Sequence, residues 1–127
     1  EKKIREYGLE RDFLLLGAKE NPYPYYKQCD IYVHATRFEG KSIAIQEAQT
    51  LGCTIIASDC PGNREQIVDG IDGKMCPLSA EGICDAVCEL LDNKEVCIAY
   101  GKMAQKKELS EKSQLTELLK LMENESE

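Results

Sequence analysis

The sequence has no G-x-G-x-x-G fingerprint and no G-x-x-x-x-G-K-[ST] loop, so it supports neither a dinucleotide oxidoreductase nor a P-loop enzyme. Its single histidine, His34, lies in an apolar run and leaves no Ser/His/Asp set. No apolar run approaches the ~18 residues of a membrane span. A charged start followed by an apolar stretch and small residues is also missing, so no signal peptide is expected. Basic residues are in deficit, 16 against 23 acidic, for a formal net charge of −7. That balance argues against a phosphate-backbone binder, and no nucleic-acid partner is expected. A small anionic ligand held by a few local groups remains compatible with it.

The cysteines are Cys29, Cys53, Cys60, Cys76, Cys84, Cys88 and Cys97. Seven is odd, and no pair has the C-x-x-C spacing of a zinc or thioredoxin-like site. They are expected to be small buried apolar residues of a reducing cytoplasm. Cys84 and Cys88 stand one helical turn apart, but with His34 they are too few ligands for a metal site. No metal and no cofactor are expected. The 127 residues are about one domain's worth, with 43% hydrophobic and 31% charged residues. Such a chain can bury a core without cross-links. It begins at Glu1 rather than Met, which reads as a fragment or a processed chain.

Short apolar runs alternate with helical patterns. Phe13–Gly17, Ile31–Ala35, Thr54–Ser58 and Lys74–Cys76 read as strands. Between and after them, helical segments are expected at 24–29, 42–51, 64–68, 80–91, 94–107 and 111–123. The 42–51 segment stops at Gly52, a good C-terminal signal. In 80–91, Ile83, Ala86, Val87, Leu90 and Leu91 form a core-facing stripe. Residues 124–127 are polar and expected to fray. Strand–helix alternation with two-sided apolar strands predicts an α/β fold, a doubly wound parallel sheet with helices on both faces.

In such a sheet ligands sit beyond the carboxyl ends of the strands. The loop after Ile31–Ala35 is the densest in candidates. Gly40 permits a tight turn or a close backbone approach. Ser42 is a credible N-cap for the following helix. The N–H groups of that helix start suit a phosphate, and Lys41 adds a charge there. Glu39 in the loop and Glu47 in the second helical turn can face one cleft. Carboxylates only accept hydrogen bonds, which suits sugar hydroxyls.

These residues run Arg37-Phe38-Glu39-Gly40-Lys41-Ser42-Ile43-Ala44-Ile45-Gln46-Glu47-Ala48. The stretch resembles the E-x7-E region of retaining family-4 glycosyltransferases, in particular a subgroup that builds bacterial polysaccharides. Ordered blocks extend the resemblance over nearly the whole chain: Phe13–Gly17 with Asn21-Pro22-Tyr23-Pro24-Tyr25-Tyr26, then Leu51 to Asp59, Pro61-Gly62-Asn63-Arg64-Glu65, and Gly70-Ile71-Asp72-Gly73. Cys53 and Thr54 depart from it, standing where the family often has a basic residue and Pro.

The resemblance implies a GT-B fold of two Rossmann-like lobes, with this chain as part of the C-terminal, donor-binding lobe. It implies transfer of a sugar from a nucleotide diphosphate, of UDP type, to a saccharide or lipid-linked acceptor, with retained configuration and usually without a metal. Glu39 would act on the donor sugar as positive charge develops. Glu47 would hold the nucleotide ribose. The N–H groups of Gly40, Lys41, Ser42 and Ile43 would face the sugar and the diphosphate. His34 is given a structural role at a strand end. The implied setting is cytoplasmic, at the inner face of a membrane through the other lobe.

Nothing here resembles the N-terminal lobe, nor the first two strand–helix units of the C-terminal lobe with their diphosphate-binding Arg and Lys. In the order 3-2-1-4-5-6 those strands lie between Phe13–Gly17 and Ile31–Ala35. The chain alone is therefore expected to be inactive, with a sheet edge that closes up or self-associates. The alternative function is a non-catalytic nucleotide-sugar-binding or assembly module.

Overall fold

The computed structural model describes residues 1–107 and Thr116. In chain order its elements are α1 (Lys2–Glu6), α2 (Tyr23–Gln28), β1 (Tyr32–His34), α3 (Ile43–Thr50), β2 (Ile55–Ser58), α4 (Pro61–Gln66), β3 (Lys74–Cys76) and α5 (Ala80–Leu91). A further helix, α6, covers 94–107. The helix expected at 111–123 falls outside the described residues except at Thr116, which is helical. The 124–127 tail also falls outside them.

The three strands form one parallel sheet in the order β1-β2-β3. β2 is buried along its whole length because both of its faces are covered. Ile55 and Ala57 point to one face and pack with Ile45 and Ala48 of α3 and with Ile67. Ile56 points to the other and packs with Cys76 and with Ala86 and Leu90 of α5, while Val96, Cys97 and Tyr100 of α6 border that cluster. This is the expected Rossmann-like α/β arrangement. The register pairs Tyr32 with Ile55 and His34 with Ala57. Tyr32 and His34 therefore share the α3 face of the sheet, while Val33 takes the α5 face.

Local chemistry explains the helix ends. Ser42 Oγ accepts the Ile45 N–H at 3.2 Å, and Ser79 Oγ accepts the Gly82 N–H at 2.9 Å. α3 stops where Gly52 takes φ +75°, open to glycine at little cost. α4 starts at Pro61, three residues earlier than expected, because proline is suited to the first helical position.

Two expectations are corrected. Phe13–Gly17 is not a strand: it is unpaired, and Phe13 to Leu16 are 48–70% exposed. A strand needs a hydrogen-bonded neighbour, and none lies beside this segment among the described residues. Nor does it close onto β1. An open cleft of about 340 Å³, lined by Leu16, Pro22, Tyr25, Ile31 and Val33 among others, lies between them. The second correction concerns the cysteines. Cys53, Cys60 and Cys76 are buried and Cys29 and Cys97 half-buried, but Cys84 and Cys88 are exposed. They fall off the stripe of α5 that faces the sheet.

Candidate functional site

The loop between β1 and α3 lies at the carboxyl end of β1, and the end of β2 with α4 holds it at three points. At its start, the Thr36 N–H donates to Ser58 Oγ at 2.9 Å, and the Ser58 hydroxyl donates to the Thr36 carbonyl at 2.5 Å. In its middle, Gly62 presses on the backbone. A Cβ there would lie 1.8 Å from the Glu39 carbonyl oxygen and 2.6 Å from that of Gly40. At its end, the buried Gln66 side chain brackets Ser42. The Ser42 N–H donates to Gln66 Oε1 at 2.7 Å, and Gln66 Nε2 donates to the Ser42 carbonyl at 2.9 Å. Each bond satisfies a buried group that would otherwise be left without water.

Glu39 and Glu47 border a patch of tyrosines. Glu39 Oε2 is 2.9 Å from His34 Nε2, and His34 Nδ1 is 3.1 Å from the Tyr32 hydroxyl. The Tyr23 hydroxyl donates to Glu47 Oε1 at 3.2 Å. Tyr26 joins the two halves, with its ring centroid 6.5 Å from that of Tyr23 and 5.3 Å from that of Tyr32. Burial, chiefly, pushes the Tyr32 phenol well above its ordinary value, and Tyr26, Glu39 and Glu47 add to the shift. Glu47 through Tyr23 and Glu39 through His34 thus border one run of rings, Tyr23, Tyr26, Tyr32 and His34. The hydrogen bond to Glu47 raises Tyr23 in the same direction. At the rim, Arg64 Nε is 2.5 Å from Asp59 Oδ1 and holds that carboxyl below its usual range.

The remaining candidates divide. Gly40 has nothing within 4 Å of a built Cβ and no positive φ, so the fold itself does not require glycine there. Lys41 and Ile43 are exposed. Ser42 is buried and serves as the helix cap, with its N–H already given to Gln66. The amides of Gly40, Lys41, Ile43 and Ala44 have no protein partner among the described residues. Phe38, beside Glu39, is 91% exposed. No three His, Cys, Asp or Glu side chains gather as a metal site among the described residues. Sequence reasoning did not place Tyr23, Tyr32, His34, Ser58, Gly62 and Gln66 at the candidate site, where the structure puts them. Only Tyr-x-His before the loop carried a local signal, since period-two spacing puts both rings on one face.

A parallel α/β sheet with its candidate groups beyond a strand end defines a Rossmann-like domain. Residues 1–107 match the profile described as glycosyl transferases group 1, and the chain belongs to that family. It is 30% identical over 103 residues to the N-acetylgalactosamine-N,N'-diacetylbacillosaminyl-diphospho-undecaprenol 4-alpha-N-acetylgalactosaminyltransferase of Campylobacter jejuni, covering 80% of this chain and 28% of that protein. Among solved structures, the C-terminal domain of the group 1 glycosyl transferase LpcC from Francisella tularensis is 27% identical, with TM-score 0.71, over 83% of this chain and 56% of that one. HepE of Anabaena in complex with UDP is 20% identical, with TM-score 0.81, over 94% of this chain and 35% of that one. That likeness is one of fold, of the GT-B type. The chain spans about a quarter of the length of the curated relatives it matches.

Proposed function

We propose that this chain is the donor-binding part of the C-terminal lobe of a retaining glycosyltransferase. The whole enzyme would move a sugar from a nucleotide diphosphate, of UDP type, to a saccharide or lipid-linked acceptor during polysaccharide synthesis. The observation that carries this reading is the pair Glu39 and Glu47, seven residues apart in sequence and set around one tyrosine patch at the carboxyl end of β1. Beside them is the start of α3, where unpaired amides and a partial positive charge suit a diphosphate. The open face at Gly40 lets a ligand approach the backbone. Glu39 accepts from donor-sugar hydroxyls, and its negative charge counts most as the sugar becomes cationic. Glu47, steadied by Tyr23, accepts from the ribose. Lys41 adds charge for the diphosphate. The reading is supported by the UDP complex of HepE and by the diphospho-undecaprenol-linked substrate in the name of the Campylobacter relative.

Glu47→Ala in the whole enzyme is expected to weaken UDP binding by roughly 1.5–3 kcal/mol, the range for a hydrogen bond to a charged group. Calorimetry on wild type and variant measures it. Equal affinities would remove Glu47 from the ribose.

By itself the 127-residue chain acts as a binding module and transfers no sugar. The exposed Phe13 to Leu16 and the edge of β1, which has no strand partner among the described residues, favour self-association. A transfer and donor-hydrolysis assay, run beside light scattering, tests this. Transfer by the purified monomer would overturn it.

A further inference from the structure

We propose that His34, with Tyr32 behind it, is the positioning residue for the Glu39 carboxylate. The inference rests on the glycosyl-transfer reading above for its consequence, but its geometry stands apart from that reading. β1 places Tyr32 and His34 on one face, two residues apart. His34 Nε2 lies 2.9 Å from Glu39 Oε2, and its Nδ1 lies 3.1 Å from the Tyr32 hydroxyl. Both ring nitrogens are therefore engaged.

Direction follows from the donor inventory. An ionised carboxylate only accepts, so the proton sits on Nε2. In the neutral form of the imidazole Nδ1 then accepts, and Tyr32 is the group that donates to it. Burial keeps the Tyr32 phenol protonated, and the 3.1 Å contact to Nδ1 is what gives it His34 as an acceptor. The donors run one way, Tyr32 to His34 to Glu39, and the two neighbours favour the same tautomer.

Glu39 requires such a partner. Gly62 and Gln66 fix the backbone of its loop but leave the side-chain torsions free. The imidazole and the carboxylate are 16% and 27% exposed, so solvent reaches the pair and would compete for a loose carboxylate. A histidine that only filled the strand end would need neither nitrogen aimed at a functional group.

His34 is the only histidine, so its imidazole gives one set of nitrogen resonances. In this chain, nitrogen-15 spectra at neutral pH are expected to show a single Nε2–H tautomer. Tyr32→Phe should raise the minor Nδ1–H fraction while Glu39 still favours Nε2–H. In the whole enzyme, His34→Ala should lower turnover roughly 10- to 100-fold, as a misplaced reacting group does, with nucleotide affinity unchanged within about twofold. His34→Gln, which offers an N–H near the position of Nε2, should recover most of the turnover. If His34→Ala does not fold, Tyr32→Phe, which removes one oxygen, carries the turnover comparison.

An Nδ1–H tautomer in the wild type overturns the proposal. So does wild-type turnover in His34→Ala where Glu39→Gln is impaired. If Glu39→Gln keeps full turnover, the role of Glu39 fails instead, and the tautomer alone decides whether His34 positions it.

Discussion

Glu39→Gln is expected to lower the turnover of the whole enzyme about 100-fold while leaving UDP affinity within about threefold. The substitution is close to isosteric, and the amide oxygen still accepts the His34 Nε2–H that now lies 2.9 Å from the carboxylate. What it removes is the negative charge. That charge matters little to a neutral sugar in the ground state and most as the anomeric centre becomes cationic. One preorganised electrostatic group aimed at developing charge is worth about 10²- to 10³-fold. Turnover numbers and calorimetric UDP affinities for both proteins provide the check. Unchanged turnover with poor nucleotide binding would exchange the roles of Glu39 and Glu47.

Gly62→Ala is expected to destabilise this chain by about 3 kcal/mol, at the upper end of the range for overpacking. The added methyl would sit 1.8 Å from the Glu39 carbonyl oxygen. That neighbour is backbone, pinned by the Ser58–Thr36 and Gln66–Ser42 pairs on either side, so it cannot rotate away like the tip of a side chain. Either α4 lifts from the loop or the loop carries Glu39 out of place. Urea unfolding should show a lower midpoint with an unchanged slope. Gly40→Ala is the control, because nothing lies within 4 Å of its Cβ position and its φ is not positive. Its stability should stay within about 0.5 kcal/mol of wild type. Equal midpoints for both variants would show that the close approach at Gly62 is relieved without loss.

Much of the architecture was legible because it is written over short stretches. The apolar run at Thr54–Ser58 became β2, and Ile83, Ala86, Val87 and Leu90 of the expected stripe became the inner face of α5, while Leu91, at its margin, is exposed. Ser42 as cap and Gly52 as stop set the limits of α3. The failure at Phe13–Gly17 has the same origin. Its composition suits a strand, but a strand exists only where another backbone pairs with it, and composition does not report whether that neighbour is present.

The candidate site divides along the same line. The spacing of Glu39 and Glu47, the helix start at Ser42 and the glycine at position 40 were open to reading from one continuous stretch. The clamps were not. Ser58 and Gln66 reach Thr36 and Ser42 across 22 and 24 residues, and Tyr23 reaches Glu47 across 24. His34 was read as a strand-end residue, yet its ring joins Tyr32 to Glu39.

The sequence alone determined the family, through its resemblance, the alternation of strand and helix, and which two carboxylates to place at a candidate site. These rest on periodicities of two and 3.6 residues and on motifs contained in single segments. Only the tertiary structure decided which backbone Gly62 touches, which amides of the loop are already taken, and which nitrogen of His34 meets Glu39. Those depend on side chains from β1, β2, α2 and α4 converging at one end of the sheet, and convergence is a property of packing that no single segment contains.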